Sequence, residues 1–220
     1  ARYVSLYVPV MTDIRTLFPT SLLHLESHLS DALPALEEAC WMIEEGDQAG
    51  HDWCEAEGYP GYTSYASLDD LPDRHPAFAE LVETLDKAAL SFAKALHWDL
   101  GTARLHCDSL WINVLGEGGM HSGHIHPNSV ISGTAYVAMP EGAGRLKLED
   151  PRLPLMMAAP PLKADAPHKR FEYVEPKAGD VLMWESWLRH EVMASRAEEA
   201  RISVSFNYSL IDGLPVDLDD

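Results

Sequence analysis

Apolar residues in this chain recur with a helical period up to about residue 100 and with a period of two thereafter. That single switch limits the fold more than any other feature. Leu33, Leu36, Ala39, Cys40 and Ile43 predict a helix over about Ser30 to Glu45, with Ser30 or Asp31 as its cap. Pro76 opens a second helix, which carries Phe78, Leu81, Leu85, Ala88, Ala89, Phe92 and Ala93 on one face and runs to about His97. Between them, Gly46 to Pro72 is rich in Gly, Tyr and Asp and reads as an irregular covering loop. Beyond Gly101 the strands are Leu110–Leu115, Val130–Met139, Arg145–Leu148, Phe171–Val174, Val181–Trp184 and Ile202–Tyr208. Turn sequences such as Gly116-Glu117-Gly118-Gly119 and Pro140-Glu141-Gly142-Ala143-Gly144 separate them, and Pro154 to Lys169, with four prolines, reads as a long loop near a site mouth.

Helices first and short strands afterwards predict an α+β protein. Its expected core is a double-stranded β-helix (jelly roll), with the N-terminal helices packed on the outer face of the larger sheet. The expected organisation is a single domain over 1–220, with 1–100 as helical support and 101–220 as the jelly roll. The last strand points the same way: Arg201, Ser203, Ser205 and Asn207 share one face, and Ile202, Val204, Phe206 and Tyr208 share the other. A polar inner face needs something polar to hold, and an apolar outer face needs a cover. No apolar run approaches the roughly 18–20 residues of a membrane helix, and Ala1 to Val10 has no signal-peptide pattern. The three cysteines form no CxxC pair and suit a reducing cytoplasm. Sixteen Lys and Arg against 35 Asp and Glu give a net charge of −19, which argues against nucleic acid as a partner. The sheet edges a jelly roll leaves open are compatible with a homodimer.

Within this frame, His124-Ile125-His126 sets two imidazoles two residues apart, on one face if the segment is extended. His190 lies 66 residues on, far enough to come from another strand and complete a three-point metal site. Arg201 follows after 11 residues with Ser203 on the same strand face, a rigid fork plus a hydroxyl suited to a carboxylate. The pattern predicts a mononuclear metal oxygenase that also binds an organic acid. Imidazole ligands suit iron, zinc, copper and nickel alike. His121, three residues before His124, is expected to line the pocket or support a ligand, and Asn113 points to the same interior by alternation. Trp184, Trp187 and Gly133 read as packing or bulge residues.

From Trp111 to Tyr208 the chain resembles the non-haem Fe(II), 2-oxoglutarate-dependent oxygenases, and in particular an uncharacterised bacterial and phage branch of them. The resemblance is carried by Trp111-Ile112-Asn113, His124-Ile125-His126-Pro127, Ser132-Gly133-Thr134-Ala135-Tyr136-Val137, Leu148-Glu149-Asp150-Pro151, Trp187-Leu188-Arg189-His190 and Arg201-Ile202-Ser203. Even Leu17-Phe18-Pro19-Thr20 is similar to the opening of that branch. It implies Fe(II) at His124, His126 and His190. It also implies 2-oxoglutarate held at its distal carboxylate by Arg201, Ser203 and Tyr136, and hydroxylation of a small-molecule or protein substrate with release of succinate and CO2. The family motif is usually His-x-Asp or His-x-Glu, so His126 stands where a carboxylate is expected; Glu149, Asp150 and Glu185 are the carboxylates that could replace it. Two alternatives stay open. One is a cupin-type three-histidine dioxygenase or isomerase, which gives no reason for Arg201 and Ser203. The other is a non-catalytic metal-binding jelly-roll module.

Overall fold

The computed structural model describes residues 15–212; the Ala1 to Val10 stretch judged above lies outside them. In chain order the elements are β1 (Leu22–Leu25), α1 (Leu33–Gly46), α2 (Gln48–Glu57), β2 (Tyr62–Thr63), α3 (Leu71–Arg74), α4 (Pro76–Ala95) and β3 (Arg104–Leu115). There follow β4 (His121–His124), β5 (Ile131–Ala138), β6 (Leu146–Glu149), a 3-10 turn at Leu153–Met157, β7 (Phe171–Val174), β8 (Val181–Glu185), β9 (His190–Val192) and β10 (Arg201–Ile211). Two antiparallel sheets result, one of order β1-β8-β5-β10-β3-β2 and one of order β4-β9-β6-β7.

Alternation decides what each face of the larger sheet does. Ile112, Val114, Ile131, Ala135, Val137, Val204, Phe206 and Tyr208 join Leu36, Ala39 and Cys40 of α1 and Phe78, Leu81, Leu85 and Phe92 of α4 in one buried cluster. The two helices therefore cover the outer face, as their apolar stripes predict. Tyr208 adds a polar tie by donating to Asp86 of α4 (2.8 Å). A smaller cluster of Tyr136, Leu146, Leu148, Leu182, Trp184 and Leu188 lies between the sheets. Gly133 belongs to the outer packing: a Cβ there would collide with the Phe206 ring and the Leu182 carbonyl.

Several boundaries differ from expectation. Helix α1 starts at Leu33 with Ala32 as its uncapped N-terminal neighbour; Ser30 instead bonds Ser27, and the pre-set φ of Pro34 in the first turn does the starting. The second helix ends at Ala95 and is capped by His75, whose Nδ1 accepts from Ala77 (3.2 Å). The expected loop at 46–72 contains α2, β2 and α3. Asp47 holds this excursion together: buried, it accepts from the Gly50 amide, Tyr62 Oη and Ser67 Oγ. Cys40 and Cys54 are buried free thiols, and Cys107 is partly buried. Among the described residues, no helix is long and apolar enough to cross a membrane.

Candidate metal centre

Strand β4 ends at His124, which lies directly across from His190, the first residue of β9. His126 is not a strand residue. The chain leaves β4 after His124, and the His126 amide donates to the Ser186 carbonyl (3.1 Å), which steers the second imidazole back toward the first. Asn128, at φ 72°, then turns the chain away, a conformation Asn tolerates well. The outcome matches the expected pairing of the two histidines, though a backbone contact beyond the strand produces it.

One nitrogen from each of His124, His126 and His190 lies within 4.8 Å of the others. The Nε2 atoms of His126 and His190 are 3.3 Å apart, with their rings stacked at 10°. His124 Nδ1 lies 2.7 Å from the Ser122 carbonyl and His190 Nδ1 2.9 Å from that of Leu188. A carbonyl only accepts, so both Nδ1 atoms carry the proton and both Nε2 lone pairs are left for a cation. Burial, and then repulsion from neighbouring imidazoles, lowers the pKa of His190 to about 3 and those of His126 and His121 to about 4. His124 is lowered as well, mainly by burial. At neutral pH the cluster is thus a set of uncharged nitrogen donors, the form a divalent metal requires. No carboxylate joins the group among the described residues. Glu149 is paired with Arg189 (3.1 Å) and Asp150 with Arg152 (2.7 Å), while Glu185 stands outside the group.

The inner face of the larger sheet supplies the other half of the site. Ser203 of β10 is paired with Asn113 of β3 on one side and Tyr136 of β5 on the other, making one row across three strands. A bulge between Ile202 and Ser203 in the β5 pairing lets Tyr136 face inward at this level. Arg201, 2% exposed, lies at the inner end of that face. Its Nη1 donates to Ser203 Oγ (2.8 Å) and its guanidinium lies 5.3 Å from the centre of the Tyr136 ring. Arg201 Nε, Tyr136 Oη and Trp184 Nε1 are buried without a well-formed hydrogen bond among the described residues, Tyr136 having only the looser company of Arg201 and Thr134, and no carboxylate there pairs with Arg201. A buried cation with no carboxylate partner and the Tyr136 phenol beside it is suited to a bound carboxylate. Burial pushes the Tyr136 phenol up to about 12, so it is a proton donor at neutral pH. Asn113 is committed: its amide donates to Ser205 Oγ (3.1 Å) and its oxygen accepts from Tyr59 (3.4 Å).

His121 stands between the two halves. Its ring stacks on His124 at 4.4 Å, meets Tyr59 edge-on at 5.7 Å and feels the charge of Arg201. The free space at the site is about 30 Å³, enough for an ion or a water or two. An ion fits among the side chains as they stand. A ligand larger than an ion needs lining side chains, His121 among them, to give way.

Of three further aromatic residues, one was read correctly from sequence, one was misjudged and one was missed. Trp184, read as packing, does pack, but with its ring edge against His190 (4.7 Å); the alternation Leu182/Trp184 inward and Val181/Met183 outward carried that signal. Trp187, also read as packing, is 46% exposed. Tyr59 reaches the site from the end of α2, where Gly58 in the left-handed region terminates the helix.

Residues 109–207 match the family described as "Putative 2OG-Fe(II) oxygenase". Among solved structures, a Pseudomonas putida prolyl-4-hydroxylase aligns over 86% of this chain and 92% of its own, at 16% identity and TM-score 0.56. HygX from Streptomyces hygroscopicus, solved with nickel and 2-oxoglutarate, aligns over 86% and 82% at 14% identity and TM-score 0.57. The epimerase SnoN, solved with Fe3+ and alpha-ketoglutarate, aligns over 91% and 88% at 14% identity and TM-score 0.60. At such identities the likeness is one of fold. No curated protein sequence matches the chain. The matched segment holds all three histidines of the cluster, so the part of the chain that carries the site is similar to the 2OG-Fe(II) oxygenases, in keeping with an oxidoreductase.

Proposed function

We propose that the protein is an Fe(II)- and 2-oxoglutarate-dependent oxygenase that hydroxylates its substrate, with His124, His126 and His190 as the metal ligands. The strand order β8-β5-β10-β3 facing β4-β9-β6-β7 supports reading the sheets as a jelly roll. The observation that carries the proposal is the buried, unpaired Arg201 on the same inner face as Tyr136, behind a histidine cluster free of carboxylates. A cupin-type metal enzyme has no use for that cation, and a structural metal site is normally closed by four protein ligands.

When bound, ferrous iron with 2-oxoglutarate supplies dioxygen-dependent oxidation, releasing succinate and CO2. The chain's own residues do the rest. Ser122 and Leu188 carbonyls fix the ligand tautomers, and Trp111 and Trp184 wall the imidazoles from water. Arg201 and Tyr136 hold the distal carboxylate, while Ser203 holds Arg201 in rotamer. Lining side chains, His121 among them, give way to make room for the ligand. The test is anaerobic addition of Fe(II) and 2-oxoglutarate, followed by O2. A visible metal-to-ligand charge-transfer band and then succinate are expected; metal uptake without 2-oxoglutarate binding overturns the reading.

A further inference from the structure

A second cavity, of about 320 Å³, lies under the segment that joins β6 to β7. It is some ten times larger than the space among the histidines and falls in the range of small-ligand pockets, roughly 300–1,000 Å³. Its position relative to the metal centre follows from register. Leu148 is paired with His190, and Asp150, two residues further along the same chain direction, lines the cavity. Two extended residues span about 7 Å, so this wall of the cavity begins about that far along the strand from the position facing His190. Its far wall is tied to that strand end by the Asp150 amide donating to the Arg170 carbonyl (2.8 Å).

The lining has two chemistries. Leu155, Leu162, Pro160 and Pro167 make it apolar, and Leu162 is 52% exposed, with Met157 on the adjoining turn 90% exposed. Apolar side chains gathered at an opening mark a surface that binds something. The charge is basic against an acidic molecule: residues 145–177 hold seven Lys and Arg and five Asp and Glu, a net of +2 in a chain of −19. Of the cations in the wall, Arg152 is already answered by Asp150 through two hydrogen bonds (3.0 and 2.7 Å). Arg170 is held differently. One of its terminal nitrogens donates to the Pro160 carbonyl (2.6 Å), which orients the guanidinium without neutralising it. Lys169 beside it makes no ion pair among the described residues.

From these observations we infer that the cavity is an anchoring subsite for an amphipathic organic acid, an aliphatic body carrying a single carboxylate. The aliphatic part lies on Leu155, Leu162 and the prolines. The carboxylate meets Arg170, and the remainder of the molecule extends past Asp150 to the histidine site. The substrate class rests on the oxygenase reading; the binding of such an acid does not.

The test uses octanoate as probe on the full chain, without metal or 2-oxoglutarate, by calorimetry and by methyl NMR of the leucines. Saturable binding that perturbs Leu155 and Leu162 is expected, with at least tenfold weakening in Arg170→Gln and no comparable binding of octylammonium. Equal affinities for wild type and Arg170→Gln, or for octanoate and octylammonium, would overturn the inference. So would binding that emerges only in Asp217→Asn/Asp219→Asn/Asp220→Asn, since the cavity's occupant would then be the acidic stretch at 213–220 of the chain itself. Octanoate binding in a protein that fails to bind 2-oxoglutarate upholds the cavity's ligand class and sinks the oxygenase reading alone.

Discussion

Arg201 carries opposite expectations for stability and for binding, which makes it the most discriminating single residue. In the ligand-free protein its burial is unfavourable, because no anion among the described residues offsets the charge. Arg201→Ala should therefore leave the melting temperature of the ligand-free protein unchanged or raise it. The same change removes charge-assisted hydrogen bonds of about 1.5–3 kcal/mol each, so 2-oxoglutarate affinity should fall by two or more powers of ten with metal affinity intact. Parallel calorimetric titrations of metal and of 2-oxoglutarate decide it, and equal loss of both would sink the assignment. His121 reverses the usual logic of a pocket residue. Stacked on His124 and lining the same small space as Arg201, it takes up room that a ligand there would need. His121→Ala should hold or raise 2-oxoglutarate affinity, and a tenfold loss would instead make it a ligand-holding group. His126→Asp restores the charge that the family motif usually carries. Its expected effect is Fe(II) affinity above wild type, measured with the metal alone, and no change at all would mean that His126 is not a ligand.

At the scale of elements, the excursion from Asp47 to Ser67 depends on one carboxylate. Asp47→Ala leaves the Gly50 amide, Tyr62 Oη and Ser67 Oγ without their acceptor. Each buried unsatisfied group costs about 1–3 kcal/mol, and Tyr59, carried by this excursion, should lose its place against His121 and Asn113. Amide exchange should quicken over 48–63 while β5 and β10 stay protected; uniform quickening would refute a local knot. This element also marks what sequence could and could not tell. Strand β10 was legible because its polar and apolar residues alternate without a break from Arg201 to Tyr208, one face for the site and the other for α1 and α4. Helix α2 was not: only Gly50 and Cys54 are buried on it, so it has no apolar stripe to detect. The histidine pair was found on the assumption of strand alternation, yet the contact of His126 with Ser186 that positions it spans 60 residues and has no local signature. Gly133 was ambiguous for a similar reason, since the Phe206 ring that demands it lies on another strand. Gly133→Ala should cost about 1–3 kcal/mol by overpacking, read as a lower melting temperature with metal affinity retained at saturation.

Across the whole molecule, the depressed histidines link stability, metal binding and pH. An unfolded chain protonates histidine near pH 6.5, whereas the folded protein holds His121 and His126 neutral to about 4 and His190 to about 3. Between those limits the unfolded state takes up more protons, so stability falls as pH drops. Asp180 works in the same direction lower down. Burial pushes its carboxyl up, but the Lys177 and Ser27 amides and His24 outweigh that and hold it low, so its contribution is lost only in stronger acid. The metal-free protein should therefore melt progressively lower from pH 6.5 to pH 4, while remaining level from pH 7 to 8. Metal affinity should behave differently, because it depends on the folded-state values alone. The nitrogens are already deprotonated at pH 6, so affinity should change little from pH 8 to 6 and drop steeply only nearer pH 4. Titrating a redox-inert ion such as Ni(II) at each pH separates the two curves. Affinity that starts to fall at pH 6.5, as for free imidazole, would mean that the three rings are not held as a buried, mutually repelling cluster, and the metal assignment would fall with it.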